Sequence, residues 1–277
     1  MLKRITSLVF LIFSLQIFAQ ENLKIRNKTD FSIGDSFKFN SKILNEERTI
    51  NVYLPHSYHQ SKIKNEYPVI YLLDGSADED FIHIAGLVQY GAFSWINMIP
   101  ETIVVGIANV DRKRDYTFHT ENQELKKEFP TTGKSEIFIQ FLENELKPLI
   151  DQNYRISDVS TLIGQSLGGL LATEILFKNP DMFDNYIIVS PSLWWDDASL
   201  QNYQPKAYTG HKKIFIGVGK EGEIMESSAK NLYQKLNKLN HKNTEIYFQF
   251  FKNRDHGDTL HLAAYAAFEK IFKIKEN

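Results

Sequence analysis

Ser160-Thr161-Leu162-Ile163-Gly164-Gln165-Ser166-Leu167-Gly168-Gly169-Leu170-Leu171-Ala172-Thr173-Glu174-Ile175-Leu176 is the stretch from which the rest of the chain can be read. An apolar run ends at Gly164, a helix-forming run begins after Gly168, and a serine stands at the turn between them. At such a junction the serine is held in a strained backbone conformation with its hydroxyl clear of the sheet. The flanking glycines let neighbouring backbone approach without a Cβ clash. The helix that follows presents its N-terminal end, which favours developing negative charge. The stretch therefore reads as a nucleophile elbow with Ser166 as the nucleophile.

Working outward, Pro68–Leu73 and Thr102–Ile107 are continuous apolar runs rich in β-branched residues, as expected of strands covered on both faces. Ser36–Leu44 and Arg48–Pro55 instead alternate polar and apolar residues, which predicts an antiparallel hairpin. Ser135–Ile150 places Ile137, Phe138, Phe141, Leu142, Leu146 and Leu149 three or four apart, the spacing of an amphipathic helix leading into the elbow strand. Strands are expected again at Tyr186–Val189, Ile214–Val218 and Glu245–Phe251. Helices are expected at about Ser227–Leu239 and Leu260–Lys273. Alternating strand and helix predict a mostly parallel central sheet with an antiparallel N-terminal hairpin and helices on both faces, the α/β-hydrolase fold.

The chain has 277 residues and no cysteine, which excludes disulfides, thiolate metal sites and a cysteine nucleophile. Lys3 and Arg4 followed by the apolar run Leu8–Phe18 read as a signal peptide over residues 1–19, cleaved before Gln20. That reading implies a periplasmic or secreted protein without stable membrane insertion after cleavage. Residues 20–277 carry no Gly/Ser/Pro-rich linker and are expected to form a single domain. The formal charge of −2 becomes −4 once Lys3 and Arg4 leave with the signal, and nothing in its distribution suggests a nucleic-acid surface.

In this fold the acid and then the base follow the nucleophile in chain order. His256 lies between the last strand and the last helix, in the polar loop Asn253–Thr259; His261, the other histidine nearby, falls within the closing helix. The turn after Ile214–Val218 supplies two carboxylates, Glu221 and Glu223, of which Glu221 is preferred, although spacing does not separate them. An acyl-transfer site also needs N–H donors for the oxyanion. One is expected from Leu167, the residue after the nucleophile, and one from Ser76 in the loop Leu73-Asp74-Gly75-Ser76, where Asp74 is read as a brace. This chemistry calls for a small-molecule ester substrate and for neither cofactor nor metal.

Several segments together resemble an esterase family of α/β-hydrolases that includes siderophore (enterochelin-type) esterases, S-formylglutathione hydrolases, feruloyl esterases and mycolyltransferases. They are Val69–Gly75, Val105–Ile107 leading to Arg112–Thr117, Phe141–Pro148, Gly164–Gly169, Ser190-Pro191-Ser192-Leu193-Trp194-Trp195 and Asp255-His256-Gly257. The resemblance spans about Ser36 to Phe272 and is nearest the siderophore-esterase branch. It implies Ser166 and His256 as nucleophile and base, and Ser76 and Leu167 as oxyanion donors. It leaves the acid open, because members vary there. Arg112, Arg114, Trp194 and Trp195 are candidate substrate contacts, the arginines for anionic or catecholate oxygens and the tryptophans for stacking. Gln165 departs from the small residue common after the first elbow glycine, which bears on pocket shape. A feruloyl or acetyl esterase of polysaccharide-linked esters, an acyltransferase and a non-catalytic binding module remain alternatives. The last of these would be expected to have lost Ser166 or His256.

Overall fold

Polar–apolar alternation at the start of the chain produces β1 (Asp35–Ser41) and β2 (Glu46–Tyr53), antiparallel and in register with Phe37 opposite Ile50 and Phe39 opposite Arg48. β2 runs antiparallel to β4 (Ile103–Ile107), and from there every pairing is parallel through β3 (Tyr67–Leu72), β5 (Ile156–Gln165), β6 (Asn185–Val189), β7 (Lys212–Gly219) and β8 (Thr244–Phe251). The order across the eight-stranded sheet is β1-β2-β4-β3-β5-β6-β7-β8, an α/β-hydrolase arrangement. This computed structural model describes residues 25–60 and 65–273. Residues up to Ser32 and those from Ile33 onward fall into separate units, and everything that follows concerns the second. The signal peptide read at residues 1–19 lies outside the described residues.

The side-chain period of two in the strands builds a core on each face. Val69, Tyr71, Leu162 and Ile188 point into one layer. It is covered by α4 (Ser135–Phe141), α5 (Lys147–Asn153), α6 (Leu167–Lys178) and α8 (Glu223–Leu239) through Phe138, Ile150, Ile175 and Leu232. Ile70, Leu72, Ile163 and Ile187 point into the other layer, covered by α1 (Phe81–Gly91) and α9 (Thr259–Ile271) through Ile84, Val88, Ala263 and Phe268. The sequence reading assigned no helix over α1, whose FIHIAGLVQYG sequence holds two glycines. Burial of Phe81, Ile84, Ala85 and Val88 against the sheet overrides that weak propensity.

α4 and α5 are joined by a π-helical turn, Leu142–Leu146, in which the Lys147 N–H reaches the Leu142 carbonyl. Pro148 supplies the reason: it has no N–H to donate, and its ring would clash with the carbonyl four residues back in a regular α-helix. α8 begins a turn earlier than its apolar pattern suggests, because Glu226 accepts hydrogen bonds from the Glu221 and Gly222 N–H groups at 3.0 Å each and so caps the start.

An ion cluster ties the N-terminal hairpin to the short helix α2 (Arg112–Tyr116). Fully buried Arg48 donates to Asp115 at 2.8 Å and to Glu46 at 2.9 Å, and Arg114 clasps Glu46 and Asp115 from the other side. Asp115→Leu is expected to destabilise the fold by about 3 kcal/mol, because Arg48 then keeps a buried charge with one partner fewer. A lowered urea midpoint with an unchanged slope would register this; an unchanged midpoint would show that Glu46 alone satisfies Arg48.

Candidate active site

β5 delivers Ser166 to the C-terminal edge of the sheet with φ 59° and ψ −120°, a conformation costing roughly 1–3 kcal/mol that the surroundings must enforce. They do so by hydrogen bonds: the Ser166 N–H donates to Val189 O at 3.0 Å, and its carbonyl accepts from Leu170 and Ser192 at 2.9 and 3.0 Å. A side chain at Gly164 would run into the Gly168 carbonyl, so glycine is required for the strand and helix to meet this closely. Ser192 also places its Oγ 3.3 Å from the Ser166 Oγ.

The loop after β3 lies beside this turn. Leu73 N–H bonds Ile163 O at 3.0 Å, Gly75 N–H bonds Ile107 O at 3.0 Å, and Asn51 holds the Gly75 carbonyl at 2.8 Å. Asp74, with φ 56°, accepts two bonds from Arg112 at 2.6 and 2.9 Å and one from Asn109 at 2.7 Å. Arg112 reaches on to the Gln165 carbonyl at 3.2 Å, so one guanidinium braces this loop against the elbow strand. Among the described residues, the N–H groups of Ser76 and Leu167 have no hydrogen-bond acceptor within the protein.

Glu221 and His256 arrive from the turns after β7 and β8. His256 Nδ1 and Glu221 Oε2 are 2.6 Å apart; the Glu221 side chain is 1% exposed and the imidazole 47%, so the acid is shielded while the ring meets solvent. Oε1 of Glu221 accepts from Ser190 Oγ at 2.5 Å and from the Gly219 N–H at 2.8 Å. Burial alone would raise this carboxyl. The hydrogen bonds from His256, Ser190 and Gly219 outweigh it and hold the group below its ordinary value. Glu223 instead lies exposed in the first turn of α8. His261 lies in α9, its ring centroid 3.9 Å from that of His83. A side chain at Gly219 would collide with the Thr259 hydroxyl and the Arg254 carbonyl, so glycine is what lets the two turns pack together.

The remaining sequence candidates separate. Trp195 has no exposed surface, donates from Nε1 to Phe118 O at 3.0 Å and packs edge-on against Phe129. The expectation that it stacks on substrate is corrected: it is a core residue, sunk because its indole N–H finds a backbone acceptor inside. Arg114 pairs with Glu46 and Asp115, and Arg112, a third exposed, pairs with Asp74. Trp194 is half-buried and follows directly on the loop that carries Ser192. Sequence reasoning assigned no role to Ser190 and Ser192, although both stand in a segment it singled out. Their contacts join residues that are 31 and 26 positions apart, beyond any local signal.

A concavity of about 770 Å³ lies at the opposite end of the sheet, among residues at the starts of β6, β7 and β8. Its Lys212 and Lys213 already donate to the Phe183 and Ile271 carbonyls at 2.8 Å. Among the described residues, no cluster of three or more His, Asp or Glu side chains is arranged to hold a metal, and no helix is long and apolar enough to cross a membrane.

An eight-stranded, mostly parallel sheet with a serine in left-handed strain at a strand-to-helix turn defines an α/β-hydrolase. Residues 41–268 match the family described as "Putative esterase", and the chain belongs to that family; it is a serine esterase. It is 29% identical over 238 residues to the ferri-bacillibactin esterase of Bacillus subtilis, covering 78% of this chain and 82% of the relative. Among solved structures, it is similar to an IroE-like serine hydrolase from Shewanella oneidensis, with a TM-score of 0.79, 29% identity and 87% and 80% of the two chains covered. It is also similar to the BES protein from Bacillus cereus, with a TM-score of 0.77, 28% identity and 91% and 100% covered.

Proposed function

We propose that the protein is an exported hydrolase of siderophore-type esters, the catechol trilactone class, working through a Ser166-His256-Glu221 triad. The observation that carries the mechanism is the 2.6 Å link between His256 Nδ1 and the buried, ionised Glu221. With Nδ1–H directed at the carboxylate, Nε2 is left as the basic nitrogen, the tautomer a general base requires. Ser166 Oγ attacks the ester carbonyl carbon as His256 Nε2 takes its proton. The resulting oxyanion accepts hydrogen bonds from the Leu167 and Ser76 N–H groups. Return of the proton to the departing alkoxide releases the alcohol and leaves an acyl-Ser166 ester. Water, deprotonated by the same imidazole, then displaces the acid and restores the serine. Export rests on the basic start and apolar run within residues 1–19.

The substrate class is supported by the likeness to the ferri-bacillibactin esterase, which spans most of both chains. Comparison of kcat/KM on a catechol trilactone siderophore, a feruloyl sugar ester and an acetylated sugar tests it. The trilactone is expected to exceed the other two by at least about 100-fold, the discrimination that complementary polar contacts afford. Equal, poor turnover of the siderophore would discard this substrate class.

A further inference from the structure

The loop carrying His256 is tied mainly to itself and to the acid's turn. Arg254 N–H bonds Phe251 O, Asp255 N–H bonds the Asp258 carboxylate, Gly257 N–H bonds the Asp255 carboxylate, and Lys220 N–H bonds Arg254 O. His256 itself differs from its neighbours. Among the described residues its N–H has no hydrogen-bond acceptor, and its carbonyl accepts one bond, from Gln165 Nε2 at 2.6 Å. Gln165 is the last residue of β5, paired in register with Val189, and it directly precedes Ser166. Its own carbonyl receives Arg112, which grips Asp74 in the loop that ends at Ser76. One residue thus joins the elbow strand to the base loop through its side chain and to the oxyanion loop through its backbone.

We infer that Gln165 is a positioning residue for the hydrolysis: its amide sets the height of the His256 loop above the nucleophile. The inference rests on the triad reading. Glu221 grips the imidazole at one ring atom, whereas the amide ties the His256 backbone carbonyl directly to the strand that carries Ser166. A displacement of about 1 Å between nucleophile and base costs on the order of 100-fold in rate. The Gln165 amide bonds the backbone carbonyl of His256, so its loss is expected to fall on kcat and leave KM nearly unchanged.

Three variants test this, followed by steady-state kinetics and by the rate of labelling with a fluorophosphonate. Gln165→Met, which keeps the length and loses the donor, is expected to lower kcat and the labelling rate roughly 10- to 100-fold, with KM within about twofold. The downfield Nδ1 proton resonance of the His256–Glu221 pair is expected to broaden as the loop loosens. Gln165→Glu sets a carboxylate against the His256 carbonyl at neutral pH and an O–H donor there when protonated, so its activity relative to wild type should climb as pH falls from 8 to 5. A Gln165→Met enzyme with wild-type kcat and an unbroadened resonance overturns the proposal. Should that variant not fold, a pH-independent ratio for Gln165→Glu overturns it instead. His256→Ala separates the two levels: if it labels at the wild-type rate, the triad reading fails. If it is silent while Gln165→Met is unimpaired, only the role of Gln165 fails.

Discussion

Ser166→Ala is expected to lower kcat on the ester substrate on the order of 10⁶-fold and to abolish covalent labelling by a fluorophosphonate. The substitution removes the only atom on this turn able to form an acyl bond. Residual turnover over the uncatalysed reaction, roughly 10³-fold, would come from the N–H groups of Leu167 and Ser76 and from substrate binding. Alanine at φ 59° remains strained, but the turn is held by backbone bonds to Val189, Leu170 and Ser192 that the substitution leaves intact, so folding should persist. Mass spectrometry of the labelled wild-type protein should place the adduct on Ser166. An adduct elsewhere, or an alanine variant retaining more than about 1% of activity, would remove Ser166 from the reaction.

Glu221→Gln is expected to lower kcat about 10⁴-fold with little change in KM. The amide that replaces the carboxylate can donate to His256 Nδ1, forcing the proton onto Nε2, where it faces the serine and blocks deprotonation; nor can a neutral amide stabilise the imidazolium. A matched Glu223→Gln variant should behave as wild type, since Glu223 stands exposed in the first turn of α8. Stability carries a second signature. Hydrogen bonds from His256, Ser190 and Gly219 hold the Glu221 carboxyl below its unfolded value near 4.5 in spite of burial. A group depressed in the folded state contributes stability that is complete above its unfolded pKa and disappears as pH falls through the folded one. The part of the urea-midpoint difference between wild type and Glu221→Gln that comes from this carboxylate should therefore be lost as pH falls below about 4.5. Equal kcat values for the two glutamine variants would mean that the acid lies elsewhere.

How much was legible in the chain differs by element. The hairpin was readable from its period of two, the parallel strands from continuous apolar runs, and the long helices from a period near 3.6. α1 was not, since its two glycines weaken the signal and its helix is held by the sheet. The candidate site divides in the same way. Glycine spacing around Ser166 marks the candidate nucleophile from within five residues. Glu221 and Glu223 look alike along the chain and become different only when β7 and β8 lie side by side, which brings one of them to His256, 35 residues away. Trp195 and Trp194 are adjacent and chemically identical, yet one is sealed against Phe118 and Phe129 while the other remains half-buried.

By itself, the order of residues determined the α/β architecture, the serine at its sharp turn and the loops from which a base and an acid could come. Those features depend on periodicity and on backbone restrictions that act over a few neighbours. Only the folded molecule decided that Arg112 braces Asp74, that Arg114 answers Glu46 and Asp115, and that Gln165 holds the carbonyl of His256. Each of those outcomes is a competition among polar groups for partners brought together from distant positions, and burial and distance settle it once the sheet has assembled.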